Sequence, residues 1–159
     1  MAITHIVNDG GRAAAGYRGQ AGDCVARSIA IAAELPYQTV YDALNVAAKD
    51  EKARGRPSSA RNGMARPVIR RFMKELGWEW VPTMRIGSGT TVHLCAEELP
   101  GGRLVVSCSK HLTAMIDGVI HDTHDPSRLG TRCVYGFWRQ PVVRKAMFAA
   151  GPTGVRVIR

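Results

Sequence analysis

Apolar residues in the first half of the chain fall into one short alternating stretch and three runs with helical spacing. Ile3 to Val7 alternates as a strand, and Asn8-Asp9-Gly10-Gly11 after it is turn chemistry. Gly16, Gly19 and Gly22 then mark a loop that leads into Cys24-Val25-Ala26-Arg27-Ser28-Ile29-Ala30-Ile31-Ala32-Ala33, a run apolar enough for a buried helix. Asp23 is a good N-cap, which puts Cys24 in the first turn. A second helix is predicted from Pro36 to near Lys49, with Val40, Leu44 and Ala47 as its apolar stripe. A third runs from Pro67, with Val68, Ile69, Phe72, Met73 and Leu76 buried, Arg70, Arg71 and Lys74 wet, and Gly77 as its stop.

Beyond Gly77 the pattern changes to strands. Glu79 to Thr83, Arg103 to Ser109, His111 to Ile116, Val119 to Thr123 and Cys133 to Arg139 are the candidates. Asp117-Gly118 between the third and fourth favours a type I′ hairpin turn. Helices first and strands afterwards describe an α+β domain, with N-terminal helices packed on one side of a C-terminal antiparallel sheet. A chain of 159 residues, 45% of them apolar, suits one such domain. We place it over residues 1–140, with 141–159 as a basic C-terminal extension.

Neither a signal-like segment nor a membrane-length apolar stretch is evident in the sequence. The four cysteines include no C-x-x-C pair, so reduced thiols and a cytoplasmic setting are the expectation. The net charge of +9 is unevenly spread: residues 49–74 hold nine Lys/Arg against two acids, and residues 126–159 hold seven against none. The remainder is neutral to acidic. Such segments predict at most weak, sequence-insensitive and salt-sensitive contact with nucleic acid, because no base-reading motif accompanies them.

The chemistry concentrates elsewhere. A thiol is a useful nucleophile only as thiolate, and a helix N-terminus with a nearby imidazole supplies that shift. Cys24 is placed for it, whereas Cys95, Cys108 and Cys133 read as small buried hydrophobes. A two-residue turn at Asp117-Gly118 sets Thr113 opposite Asp122 and His111 opposite His124, so Asp122 lies diagonally across from His111. Asp122 would then accept the Nδ1 proton of His111 and leave Nε2 for the thiol. Asp125 reaches that place only if the hairpin carries a bulge. A metal reading, from Cys108-x-x-His111 with His121-x-x-His124, is weakened by alternation, which puts Cys108 and His121 on faces away from His111. No metal or other cofactor is called for.

Loop, cysteine opening a buried helix, histidine on a later strand and an acid across the hairpin: that order resembles the papain-like cysteine peptidase superfamily. Gly22-Asp23-Cys24-Val25-Ala26-Arg27-Ser28-Ile29 is similar to the cysteine block of ovarian-tumour deubiquitinases, and the histidine block resembles that of double-glycine-leader peptidases. The whole chain resembles small proteins of tailed phages and prophages, with Tyr135-Gly136-Phe137-Trp138 as the closing strand. The resemblance implies a thiol hydrolase with Cys24, His111 and Asp122 as triad, acting on a peptide or protein, host or phage, in an anti-defence role among others. It also implies an oxyanion glutamine six residues before the cysteine; Arg18 stands there, and Gln20, four before, is the candidate. The other reading is a catalytically silent domain that binds a host protein or nucleic acid through its basic segments.

Overall fold

The computed structural model of the chain describes residues 4–141 apart from 50, 52, 53, 56, 57, 86 and 90. Most of the predicted basic extension 141–159 therefore lies outside the described residues. The helices are α1 (Cys24–Ala33), α2 (Tyr37–Ala47) and α3 (Arg66–Glu75). The strands are β1 (His5–Val7), β2 (Glu79–Pro82), β3 (Arg103–Cys108), β4 (His111–Ile116), β5 (Val119–Asp122) and β6 (Gly136–Arg139). They form one six-stranded sheet in the order β1-β5-β4-β3-β6-β2, so the fold class is α+β.

The sheet is mixed, which corrects the expectation of a purely antiparallel one. β1 runs parallel to β5, with Ile6 beside His121 and Val7 beside Asp122. Without it β5 would be an open edge. The N-terminal segment closes that edge through Ile120 N–H to Thr4 O and Asn8 N–H to Asp122 O, both 2.9 Å. A parallel neighbour needs a long crossover, and here everything from α1 to β4 intervenes. The last strand is also shorter than expected. Cys133 bridges His93, and Val134 N–H bonds Val92 O at 2.8 Å, so these residues pair with a loop and only Gly136 to Arg139 enters the sheet.

Both faces of the sheet are covered. On one, Val105, Leu112, Ala114 and Trp138 pack with Ile29 and Ala30 of α1, Val40 and Leu44 of α2, and Ile69, Phe72 and Met73 of α3. On the other, Leu104, Val106, Met115, Ile120 and Phe137 meet Leu94, Leu99 and Val134. The period-2 alternation along β3 distributes its side chains between the two clusters. The hairpin keeps the register set by its turn: Ala114 pairs with His121, Met115 with Ile120 and Ile116 with Val119. Asp117 at φ 47° and Gly118 at φ 80° supply the left-handed backbone that this turn demands.

Gly136 is required for a different reason. A Cβ at this position would collide with the Trp80 ring and stand 2.7 Å from the Val81 carbonyl oxygen, which the β2–β6 ladder fixes. We expect Gly136→Ala to lower stability by about 1–3 kcal/mol through overpacking, measured as a reduced urea midpoint.

Candidate active site

Cys24 is the first residue of α1, half-buried, and its backbone N–H belongs to the first turn, which has no helical acceptor. Asp23 does not cap it. The Asp23 side chain makes no capping bond and is 1% exposed, turned instead into a buried ionic cluster. Its Oδ1 binds the Arg27 guanidinium, and its Oδ2 accepts the Tyr37 hydroxyl at 2.6 Å and lies 3.1 Å from Arg12 Nε. An acid surrounded by two guanidinium groups and a phenol gains more there than at a helix end, where one amide would be its partner.

Arg27 continues the chain of charges. Its other terminal nitrogen reaches Asp122 Oδ1 at 3.4 Å, and Asp122 Oδ2 accepts from His111 Nε2 at 2.7 Å. The Thr123 backbone N–H donates to Asp122 Oδ1 at 2.7 Å. Asp122 thus holds His111 as the hairpin register anticipates, but through Nε2 rather than Nδ1. With Nε2 engaged by Asp122, Nδ1 is the nitrogen left for Cys24. Asp125 takes no part: its Oδ1 accepts from Ser127 N–H at 2.9 Å in a local turn. Gln20 is exposed and is not among the described residues that line the cavity beside Cys24, and Arg18 is exposed as well.

These contacts set the charge states. Burial alone would push the Cys24 thiol up, but a hydrogen bond with the His111 side chain, the Leu112 backbone and the positive charges of His111 and Arg27 bring it below its ordinary value. Burial likewise works against a charged His111, yet hydrogen bonds to Asp122 and Cys24 raise the imidazole to about 9. Desolvation opposes ionisation of Asp122 too, and His111 above all holds that carboxyl at about 2. Asp122 therefore adds stability that is present above its ordinary 3.8 and lost as pH falls through about 2. The contribution of His111 is complete below 6.5 and lost as pH rises through about 9.

Cys24 and His111 open onto a cavity of about 350 Å³. Ile69, Leu112 and Trp138 give it apolar walls, and Trp80, 42% exposed, leans on Trp138 with ring centroids 4.3 Å apart. Trp78 is buried in the core instead, so the two tryptophans have separate tasks. Cys108 is buried, with its thiol pushed up to about 11 by desolvation. His124 lies with its ring centroid 5.3 Å from that of His111, while His121 Nδ1 accepts from Asn8 Nδ2 at 3.3 Å. Among the described residues no three His, Cys, Asp or Glu converge as a metal site.

The sequence reading missed Arg12, Arg27 and Tyr37. A signal was available for Arg27: one arginine inside an otherwise apolar helix, four residues after an aspartate, must find a buried partner. Arg12 and Tyr37 carried none. No family model matches the chain, and no curated protein or solved structure matches it.

Two outcomes follow from this geometry. Iodoacetamide at pH 7 is expected to label Cys24 before Cys95, Cys108 and the exposed Cys133, as read by peptide mass spectrometry. Arg27→Ala is expected to cost about 3–5 kcal/mol in urea unfolding, because it leaves the carboxylates of Asp23 and Asp122 buried with one cation fewer.

Proposed function

We propose that the protein is a cysteine hydrolase of papain-like design that cleaves or transfers an acyl group through an acyl-enzyme on Cys24. One observation carries the reading: a thiol at a helix N-terminus, lowered in pKa by an imidazole whose other nitrogen is held at 2.7 Å by a buried carboxylate, beside an open cavity.

The steps follow from these groups. The Cys24 thiolate attacks the substrate carbonyl carbon, forming the S–C bond while the carbonyl oxygen takes the negative charge. The free N–H groups of the first turn of α1 are the nearest candidates to stabilise that charge. His111, as imidazolium, gives its Nδ1 proton to the leaving amine as the C–N bond breaks. Neutral His111 then takes a proton from water, whose oxygen attacks the thioester; the carboxylic acid departs and the thiolate–imidazolium pair returns. Asp122 keeps the ring oriented and its cation favoured throughout. Arg27 fixes Asp122. A peptide or isopeptide bond in a host or phage protein is the substrate this reading carries forward.

Acylation by p-nitrophenyl acetate tests it. A burst of one acetyl group per chain, located on Cys24 and lost in Cys24→Ser, is expected; acetylation elsewhere, or an unchanged burst in that variant, overturns the reading. With an amide substrate, whose leaving amine needs the His111 proton, the acylation rate should follow a bell in pH with its basic limb near 9, where His111 loses that proton. Asp122→Asn removes the negative charge that favours the imidazolium, so the basic limb is expected to move down by about one to two units.

A further inference from the structure

The cavity beside Cys24 carries charge of one sign only. Arg66, Arg70 and Lys110 line it, and no aspartate or glutamate does among the described residues. None of the three forms an ion pair with a described carboxylate, although the structure pairs Arg12, Arg27, Arg54, Arg103 and Arg139. Exposed cations elsewhere, Arg18 and Arg128 among them, also lack a described carboxylate partner; the cavity differs in that three such cations line one opening.

Their placement costs something. Arg66 and Arg70 are one turn apart on α3, where like charges repel, and Arg66 opens the helix, where the macrodipole disfavours a cation. Lys110 closes the turn between Cys108 and His111 with φ 56°, a conformation that glycine or asparagine takes at less cost. An anion at the mouth of the cavity relieves the first two penalties and uses the third. Below the cations the walls are apolar: Ile69, Leu112, Trp80 and Trp138. Arg66 also lies over the Tyr135 ring, 5.9 Å from its centroid, which holds its guanidinium at the rim.

We propose that this cavity receives an acidic peptide segment: an apolar side chain between Trp80, Trp138 and Ile69, with flanking carboxylates on Arg66, Arg70 and Lys110. The inference rests on the hydrolase reading for the substrate's being a polypeptide. A phosphate backbone would satisfy the same cations but leave the apolar walls and the acyl-directed thiol without purpose.

The test uses the full chain with Cys24→Ala, so that binding is read without turnover, and three fluorescein-labelled peptides measured by anisotropy. These are Glu-Asp-Leu-Gly-Glu-Glu, its Gln/Asn counterpart and its all-Lys counterpart. The acidic peptide is expected to bind about tenfold or more tightly than the neutral one and the basic one not at all. Adding Lys110→Glu or Arg70→Glu should erase most of that preference; Arg18→Glu, an equal charge change at an exposed residue away from the lining, should spare it. Equal binding of acidic and neutral peptides overturns the proposal, and so does a twelve-nucleotide single strand that binds as tightly as the acidic peptide and displaces it. Preference for the acidic peptide with no acetyl burst in the wild-type chain supports the inference while removing the hydrolase reading. A burst without the preference does the reverse.

Discussion

A buried line of alternating charge runs from Arg12 through Asp23, Arg27 and Asp122 to His111, and the rest of the site depends on it. Each of these groups would be costly to bury alone; in sequence, every anion lies between cations. Arginine suits the centre of the line because its rigid planar fork presents separate terminal nitrogens to the two carboxylates. The line also joins distant parts of the chain. Arg12 comes from the loop after β1, Asp23 and Arg27 from the start of α1, Asp122 and His111 from the hairpin of β4 and β5. It therefore fixes how far α1 stands from the hairpin, and with that the meeting of Cys24 and His111. Such a buried network is weak evidence for stability but specifies one arrangement over its alternatives.

The same line sets the direction of polarity at the site. Asp122 is tied on one oxygen to Arg27 and Thr123 and offers the other to His111, so the imidazole has one orientation and one free nitrogen. Tyr37, held against Asp23, and the neighbouring rings of Tyr17 and Tyr41 shield the buried end of the network from water. Screening falls as water is excluded, which is why a carboxylate near 2 and an imidazole near 9 coexist in one contact.

Around this pair the fold supplies a vessel from unrelated segments. The aromatic wall comes from β2 and β6, brought side by side because Gly136 lets the Trp80 ring lie on the strand. The cationic rim comes from α3 and from the turn before β4. Apolar walls and a charged rim are the usual division of labour in a binding cavity, where area gives affinity and a few polar groups give orientation.

Local pattern was enough to find most elements. The three helices, the hairpin and its register were legible because each is set by neighbours in sequence: proline and glycine at the ends, 3.6-residue spacing of apolar side chains, and a two-residue turn that pairs residues by counting. That register alone put Asp122 within reach of His111 and left Asp125 out. What tertiary structure decided is whatever depends on groups far apart in sequence. The parallel docking of β1 on β5, the release of Asp23 from capping into an ionic cluster, the choice of Nε2 over Nδ1 and the exposure of Gln20 all turn on distances between segments. An edge strand takes whichever segment reaches it, and a buried carboxylate takes whichever cation the packing brings close; neither choice is written in the residues beside it.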